Sequence, residues 1–539
     1  MTSPFLSPSL PLDTLHVLTH HPYFSTLAIT TLYLLYRLLS HHFVSRPPSS
    51  APRIPTYLPF GIDFILRALH ANATNADIPF WLSLFHNNGR GAAPYTTEVL
   101  VGAHDRVLFT ADPDNIKAVL ATQFSSYGKG ERFYRDWHAF LGDSIFATDG
   151  RQWKEARELI RPLFLRQRIE DLAVFEKHAE KLLSMMEPGE EVDAKDLFFR
   201  YTLDVATDFL FGEPINSLEN PRERFALAFA EVQRVQRLIV ILGPLQPLLS
   251  LRSYHASLEI INSFMEVFIS RTLALPQEEL ELLSKSDRGY TFLSALAQYT
   301  RDAKQIRDQL VAVLLAGRDT TAASLSWALL ELSGNPHMVR RLCEEIKTHV
   351  KPGESPSFAA LKAMKYLQAV LSETLRLYPA VPFNMRIALT DTMLPRGGGD
   401  DGNQPITVKK DTMIAYSPLV MMRRRDLYPE AYTNSNTKFP DPAVFDPERW
   451  LLPSEKDASG TGGTWSPRPW TYIPFNGGPR ICIGQQFALT EMACTLVHIF
   501  QRFARVERRM APEDLDLLSV DVVITPKKGV RVAFYTDEE

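Results

Sequence analysis

Apolar residues recur every three to four positions through most of the chain from Asp149 to about His349, the spacing of helices that bury one face. The longest such run, Asp302 to Gly334, has Leu310-Val311-Ala312-Val313-Leu314-Leu315 as its apolar centre. Its length of about 33 residues predicts a helix of roughly 50 Å, enough to cross a whole domain. A second helical run extends from Gln485 to Phe503. Alternating β-favouring residues occupy Tyr95 to Ala111 around Gly102, Thr407 to Tyr416, and Asp521 to Phe534. The glycines and aspartates from Gly397 to Gly402 predict a turn or exposed loop, and no internal repeat is present. The expected body is therefore mainly α with small β-sheets.

The first sixty residues follow another pattern. Thr14 to Tyr36 contains no Asp, Glu, Lys or Arg. Its apolar part, taken as residues 22–39, approaches the about 20 residues that span a bilayer. A transmembrane anchor is expected there, after a short 1–21 segment. Pro47, Pro48, Pro52, Pro55 and Pro59 then predict a stiff linker over 40–60, with one large domain at 61–539. A cleaved signal fits worse, because no positive segment precedes the apolar run. Arg37, Arg46 and Arg53 follow the span and Asp13 precedes it, so the positive-inside rule places the body on the cytosolic side.

Composition adds exclusions. The 539-residue chain is 45% apolar and 11% aromatic, with a formal net charge of -4 and no Lys/Arg-rich block. That balance provides no field for a polyphosphate, and nucleic acid is not an expected partner. Three cysteines, Cys343, Cys482 and Cys494, form neither a disulfide framework nor a C-x-x-C metal motif.

Two segments carry candidate chemistry. Within the long helix, Ala316-Gly317-Arg318-Asp319-Thr320-Thr321 places a glycine, which costs about 1 kcal/mol relative to alanine, beside two β-branched threonines. Packing alone does not favour that cluster. Gly317, Thr320 and Thr321 stand at i, i+3 and i+4 and are expected to share a face beside which a flat cavity opens. Asp319 and Thr320 form an acid–alcohol pair suited to proton delivery. The second segment, Phe475 to Gly484, puts Cys482 at the entrance of the 485–503 helix. There the helix dipole and free backbone N–H groups are expected to lower the thiol pKa. Gly477, Gly478 and Gly484 permit turns and close approach of a flat macrocycle, Ile481 and Ile483 would keep water from the sulfur, and Arg480 offers a fixed cation for a ligand carboxylate.

The pattern Phe475-x-x-Gly478-x-Arg480-x-Cys482-x-Gly484 resembles the haem-ligand signature of the cytochrome P450 superfamily at every fixed position. The Ala316–Thr321 stretch resembles the oxygen-activation motif of the same superfamily. The resemblance runs from Pro55 to Phe534 and implies a single large, mainly α domain with small β-sheets, of the microsomal type. It implies haem b with Cys482 as axial iron ligand, and Phe475, Gly478 and Gly484 shaping its site. Trp153 and Arg157, one helical turn apart, together with Arg386 and Arg480, are implied to hold the haem propionates. Glu373 and Arg376, spaced i, i+3, would alone be an exposed ion pair worth under about 1 kcal/mol. The resemblance joins them to Arg449 of Phe445-Asp446-Pro447-Glu448-Arg449-Trp450 in a buried structural network beneath the haem loop.

What the resemblance implies of function is insertion of one oxygen atom of O2 into a C–H bond of a hydrophobic substrate. Electrons would come from NADPH through a flavoprotein reductase, NADPH-cytochrome reductase, at the endoplasmic reticulum membrane. Segments Leu394–Ile406 and Pro474–Arg480 look like the fungal branch that hydroxylates n-alkanes and fatty acids near the terminal carbon. A fungal secondary-metabolite or xenobiotic hydroxylase is the alternative. A haem-thiolate isomerase, dehydratase or peroxygenase would keep Cys482 without needing Asp319 and Thr320, and a non-catalytic haem protein would not turn over. Apolar segments Tyr127–Phe146 and Phe225–Leu251 are candidate pocket walls, and Lys154, Arg161, Arg166 and Arg168 are candidate docking cations for the reductase.

Overall fold

The 302–334 pattern forms one continuous helix whose ends follow local chemistry. The Asp302 side chain accepts from the backbone N–H groups of Lys304 at 2.9 Å and Gln305 at 3.2 Å, and Gly334 terminates the last turn. The computed structural model describes residues 30–31 and 50–536, apart from 75, 87–93, 103–104, 165–170, 243–245, 248, 286–290, 429–440, 453–464 and 516. The helices that position the site are α1 (Gly130–Leu141), α2 (Gly150–Ile160), α3 (Ala194–Phe211), α4 (Arg224–Leu242), α5 (Ala303–Ser333), α6 (Lys365–Leu377) and α7 (Gln485–Arg502). From Asp308 to Leu330, every position of α5 is buried except Val313, Ala316, Gly317 and Thr320. These lie at i, i+3, i+4 and i+7, a single stripe. Elsewhere α5 is enclosed; its Trp327 stacks on Tyr378 at 4.0 Å and donates to the Ile524 carbonyl at 3.0 Å.

The β segments are peripheral. A five-stranded sheet has the order β1 (Thr96–Val101), β2 (Asp105–Thr110), β8 (Met413–Tyr416), β5 (Asn384–Ala388) and β3 (Tyr127–Gly128). Its β1–β2 hairpin is the one expected around Gly102, with Val101 opposite Asp105. Strand β12 (Arg531–Tyr535) lies between β4 (Glu191–Asp193) and β9 (Arg505–Arg508), while β6 (Thr392–Gly398) pairs with β7 (Gln404–Val408) and β10 (Leu518–Val520) with β11 (Ile524–Pro526). Gly397 and Gly398 end β6 rather than lying in an open loop; a Cβ at Gly398 would come within 2.7 Å of the Pro405 carbonyl.

The proline-rich segment is not wholly a spacer. The Ile54 amide donates to the Glu98 carbonyl at 2.7 Å, and Ala51 and Ile54 are buried in the core beside β1. The proline positions leave these residues extended, so they add to the sheet edge. Among the described residues no helix is long and apolar enough to cross a membrane. Of the 22–39 span only Thr30 and Thr31 are described, so the expected anchor lies outside the described residues apart from them.

Helix α6 is joined to the segment that follows it by a charge network sealed from water. Arg376 donates from Nε and Nη2 to the two Glu373 carboxylate oxygens, both at 2.8 Å, and from Nη1 to the carbonyls of Met422 at 2.9 Å and Pro442 at 2.7 Å. The Arg449 Nε contacts Glu373 at 3.4 Å, Trp450 donates to Glu373 at 2.9 Å, and the Asp446 amide adds a bond at 3.0 Å. Glu373, Arg376 and Arg449 have no exposed surface. Burial pushes the Glu373 carboxyl up, and Arg376 and Arg449 overcome it, leaving the group below its usual range. Glu373→Gln leaves two buried guanidinium groups without a carboxylate. We expect a loss of about 3–5 kcal/mol in urea denaturation; a loss under about 1 kcal/mol would show the network to be structurally idle.

Candidate active site

The loop from Phe475 to Gly484 is shaped by short backbone bonds. The Cys482 amide donates to the Phe475 carbonyl at 3.0 Å, and that of Ile481 to Gly478 at 3.0 Å. Gly478 has φ +66°, and a Cβ there would lie 1.9 Å from the Leu120 carbonyl. The glycine is thus required by contact with the turn at 118–122, in addition to any ligand. A Cβ at Gly477 would press on the Trp470 ring, whereas one at Gly484, the N-cap of α7, would meet Phe164 at an ordinary 3.8 Å. Phe475 packs against the main core and Ile483 against Leu310 and its neighbours, but Ile481 is 40% exposed and shields less than its sequence suggests.

The Cys482 sulfur keeps accessible surface within this crowded recess. Burial raises its pKa; the Gly484 amide and the Arg157 charge pull it down only in part. The expected lowering at the helix entrance is therefore outweighed by desolvation, so a bound cation is what would make the sulfur anionic. Cys343 and Cys494 are buried packing residues.

Beside the loop, cations converge. Arg480 donates to Asp149 Oδ1 at 2.5 Å and to the Thr148 carbonyl at 2.9 Å, and its guanidinium lies 4.7 Å from the Trp153 ring centre. Arg157 donates to the Ile481 carbonyl at 3.0 Å. Arg386, 3% exposed, donates to Asn384 Oδ1 at 3.0 Å and the Met385 carbonyl at 2.8 Å. The structure adds two residues that the sequence pattern did not single out. Lys129 reaches Asn384 at 3.4 Å; burial, Arg386 and Arg480 push its ammonium well below the usual lysine range. Asp149 accepts from the Lys129 and Gly130 amides at 2.9 and 2.8 Å as well as from Arg480. Burial and Arg386 lower Arg480 to about 10. Lys129, Arg157, Arg386 and Arg480 thus face one carboxylate, an excess of positive charge that suits a polyanionic ligand.

On α5, the accessible stripe contains Gly317 and Thr320, and a Cβ at Gly317 would meet nothing within 4 Å. Thr321 does not share it. It is 1% exposed and turned to Glu491 of α7. The Thr320 hydroxyl donates to the Ala316 carbonyl at 2.7 Å, leaving its lone pairs as acceptors. Asp319 is 2% exposed; burial raises its pKa against Arg318 and Gln233. Phe225, Phe229, Val232 and Val235 of the apolar α4 segment are core residues, and the same helix also presents Gln233 and Arg237. Arg166 and Arg168 lie outside the described residues.

Glu491, also not apparent from the sequence, is 1% exposed, and burial holds its carboxyl well above the ordinary 4.5. A carboxyl with a raised folded pKa binds more protons when folded, so its contribution is most favourable below 4.5 and declines as pH rises toward the folded value. Glu491→Gln should flatten the fall in stability from pH 5 to 8, measured as Tm against pH; a parallel curve would contradict this.

A family model described as Cytochrome P450 matches residues 99–534. The chain is 46% identical over 507 residues to the cytochrome P450 monooxygenase pvhE of Talaromyces variabilis, covering 90% of each. It is 38% identical over 446 residues to cytochrome P450 52A1 of Candida tropicalis, covering 79% of this chain and 78% of the relative. Cytochrome P450 52A3-A of Candida maltosa is 39% identical over 423 residues, covering 75% and 76%. With the cysteine loop, the cation cluster and the accessible helix stripe in place, these matches establish that the chain belongs to the cytochrome P450 monooxygenase family, a family of oxidoreductases.

Proposed function

We propose that this monooxygenase hydroxylates n-alkanes or fatty acids near the terminal carbon, and that Cys482 would bind the haem iron through its sulfur. The observation that carries the haem assignment is the accessible Cys482 sulfur beside a cluster of cations that lacks enough carboxylates. A bound haem would supply oxygen activation at its iron, favoured by thiolate donation. Arg157, Arg386, Arg480 and Lys129 would hold its propionates, with Asp149 orienting Arg480. Trp153 supports this corner by packing under Arg480.

The protein's own part in turnover is proton handling. Thr320 gives its hydroxyl hydrogen to Ala316, so its oxygen accepts from water along the stripe. Asp319, one residue earlier, is buried and biased toward its protonated form, which makes it the proton store. The burial of flanking α5 positions keeps bulk water from this path.

The substrate class is supported by the resemblance of the Leu394–Arg480 segments to the fungal alkane and fatty-acid branch, and by the 38–39% identity to the Candida proteins. A second reading, a fungal secondary-metabolite or xenobiotic hydroxylase, stands because the segments that carry that resemblance, Leu394–Ile406 and Pro474–Arg480, are separate from the candidate pocket walls Tyr127–Phe146 and Phe225–Leu251. Reconstituted with a flavoprotein reductase and NADPH, the enzyme should convert a long alkane or fatty acid to a product hydroxylated near the chain end. Turnover of polycyclic compounds with none of the linear chains would select the second reading.

We also place the chain at the endoplasmic reticulum membrane, held by the 22–39 span, with its body in the cytosol. Lys154 and Arg161 are exposed on and just after α2, the helix that carries Trp153 and Arg157, which supports reductase docking there. Reversing both charges should slow electron transfer and weaken its salt dependence, read by stopped-flow at several ionic strengths. Unchanged rates and salt slope would remove this face from the docking site.

A further inference from the structure

Within the Ala316–Thr321 stretch, neither the stripe nor the proton store assigns a role to Arg318. It is 8% exposed, so a full positive charge is held inside the protein. Its guanidinium lies between two rings from other helices, with Cζ 5.5 Å from the Phe199 centre on α3 and 5.6 Å from the Phe229 centre on α4. Its Nε finds no hydrogen-bond partner, and its Nη1 stands 3.3 Å from Asp319 Oδ1. Adjacent residues on a helix do not face each other. The contact between Arg318 and Asp319 is therefore not a product of helix geometry alone; it occurs with the guanidinium within reach of both phenylalanine rings.

We propose that Arg318 is a positioning residue for Asp319: the Phe199–Phe229 clamp holds its charge against the Asp319 carboxylate and keeps that group able to release a proton. The inference rests on the reading of Asp319 as proton store. No donor reaches either Asp319 oxygen with good hydrogen-bond geometry, so the carboxylate has Arg318 at 3.3 Å and a looser contact with Gln233 of α4. From the β10–β11 turn, Asp521 opposes ionisation, and it is itself paired with Arg237 of α4. Burial and Asp521 thus hold the proton on, while Arg318 and Gln233 ease it off. Of these four influences only Arg318 is a buried cation, and an opposite charge within about 4–6 Å moves a carboxyl by about 1–3 pH units. Without it the balance at Asp319 would move further toward the protonated form.

The test uses the haem-loaded, full-length enzyme. Infrared difference spectra follow the Asp319 carboxyl band against pH, assigned by its absence in Asp319→Asn, and the ratio of product to NADPH consumed is measured over the same range. Arg318→Met should move the titration, and the alkaline limb of the product ratio with it, upward by at least about one pH unit. Arg318→Lys, which retains the charge, should recover more than half of that shift. Phe229→Leu keeps the arginine and opens the clamp, so it should shift both in the same direction by less, and it serves if Arg318→Met does not load haem. A band and limb that stay in place in Arg318→Met and Phe229→Leu, while Asp319→Asn still removes the limb, would overturn the role of Arg318 alone. A limb unaffected by Asp319→Asn would overturn the proton-store reading and this inference with it.

Discussion

The carboxylate of Glu373 is the constraint around which the cysteine side of the molecule is arranged. It accepts from two arginines, an indole and a backbone amide without any contact with water. Two cations against one anion would be unstable in a low-dielectric interior, but the carbonyls of Met422, Pro442, Val444 and Asp441 take up the remaining guanidinium hydrogens. The network thus gathers Met422 and the described backbone from 441 to 450 onto α6. Its reach extends toward the cysteine loop: Trp450 packs on Tyr472, Tyr472 donates to the Ser372 carbonyl, and Tyr428 donates to the Thr471 carbonyl. Thr471 and Tyr472 lie only a few positions before Phe475, so the loop begins from a fixed point.

The other side of the site is built by an opposite use of charge. At Glu373 the carboxylate and backbone carbonyls satisfy both arginines; around Lys129, Arg157, Arg386 and Arg480, among the described residues, only Asp149 stands opposed. Asp149 is better placed to organise the cations than to neutralise them, since it also binds the amides that begin α1. The same contrast appears on α5. Its buried length gives rigidity, and the four open positions give access, with open space beside Gly317 at the stripe's centre.

Much of the architecture was legible from spacing. The long α5 helix has its cap at Asp302 and its stop at Gly334, and the Gly102 hairpin pairs in the expected direction, because short-range patterns and local capping chemistry decide such elements. Cys482 could be found because its neighbours form a long pattern within ten residues. Lys129 and Asp149 could not, since a lone lysine between glycines and a lone helix-capping acid are common on any surface and acquire meaning only beside Arg386 and Arg480 from distant segments. Thr321 was misplaced for a related reason: i+3 and i+4 lie on either side of the helix line, and the packing of α7 decides which one is covered.

By itself, then, the sequence determined the helical body, the cysteine at a helix entrance and the acid–alcohol pair, all properties of contiguous residues. Tertiary structure alone decided the balance of charges and the direction of each pKa. Desolvation raises Cys482 where the helix end would lower it, and two rings from α3 and α4 come within 5.5 and 5.6 Å of the Arg318 guanidinium. These are consequences of what surrounds a residue in space, and local spacing carries no record of it.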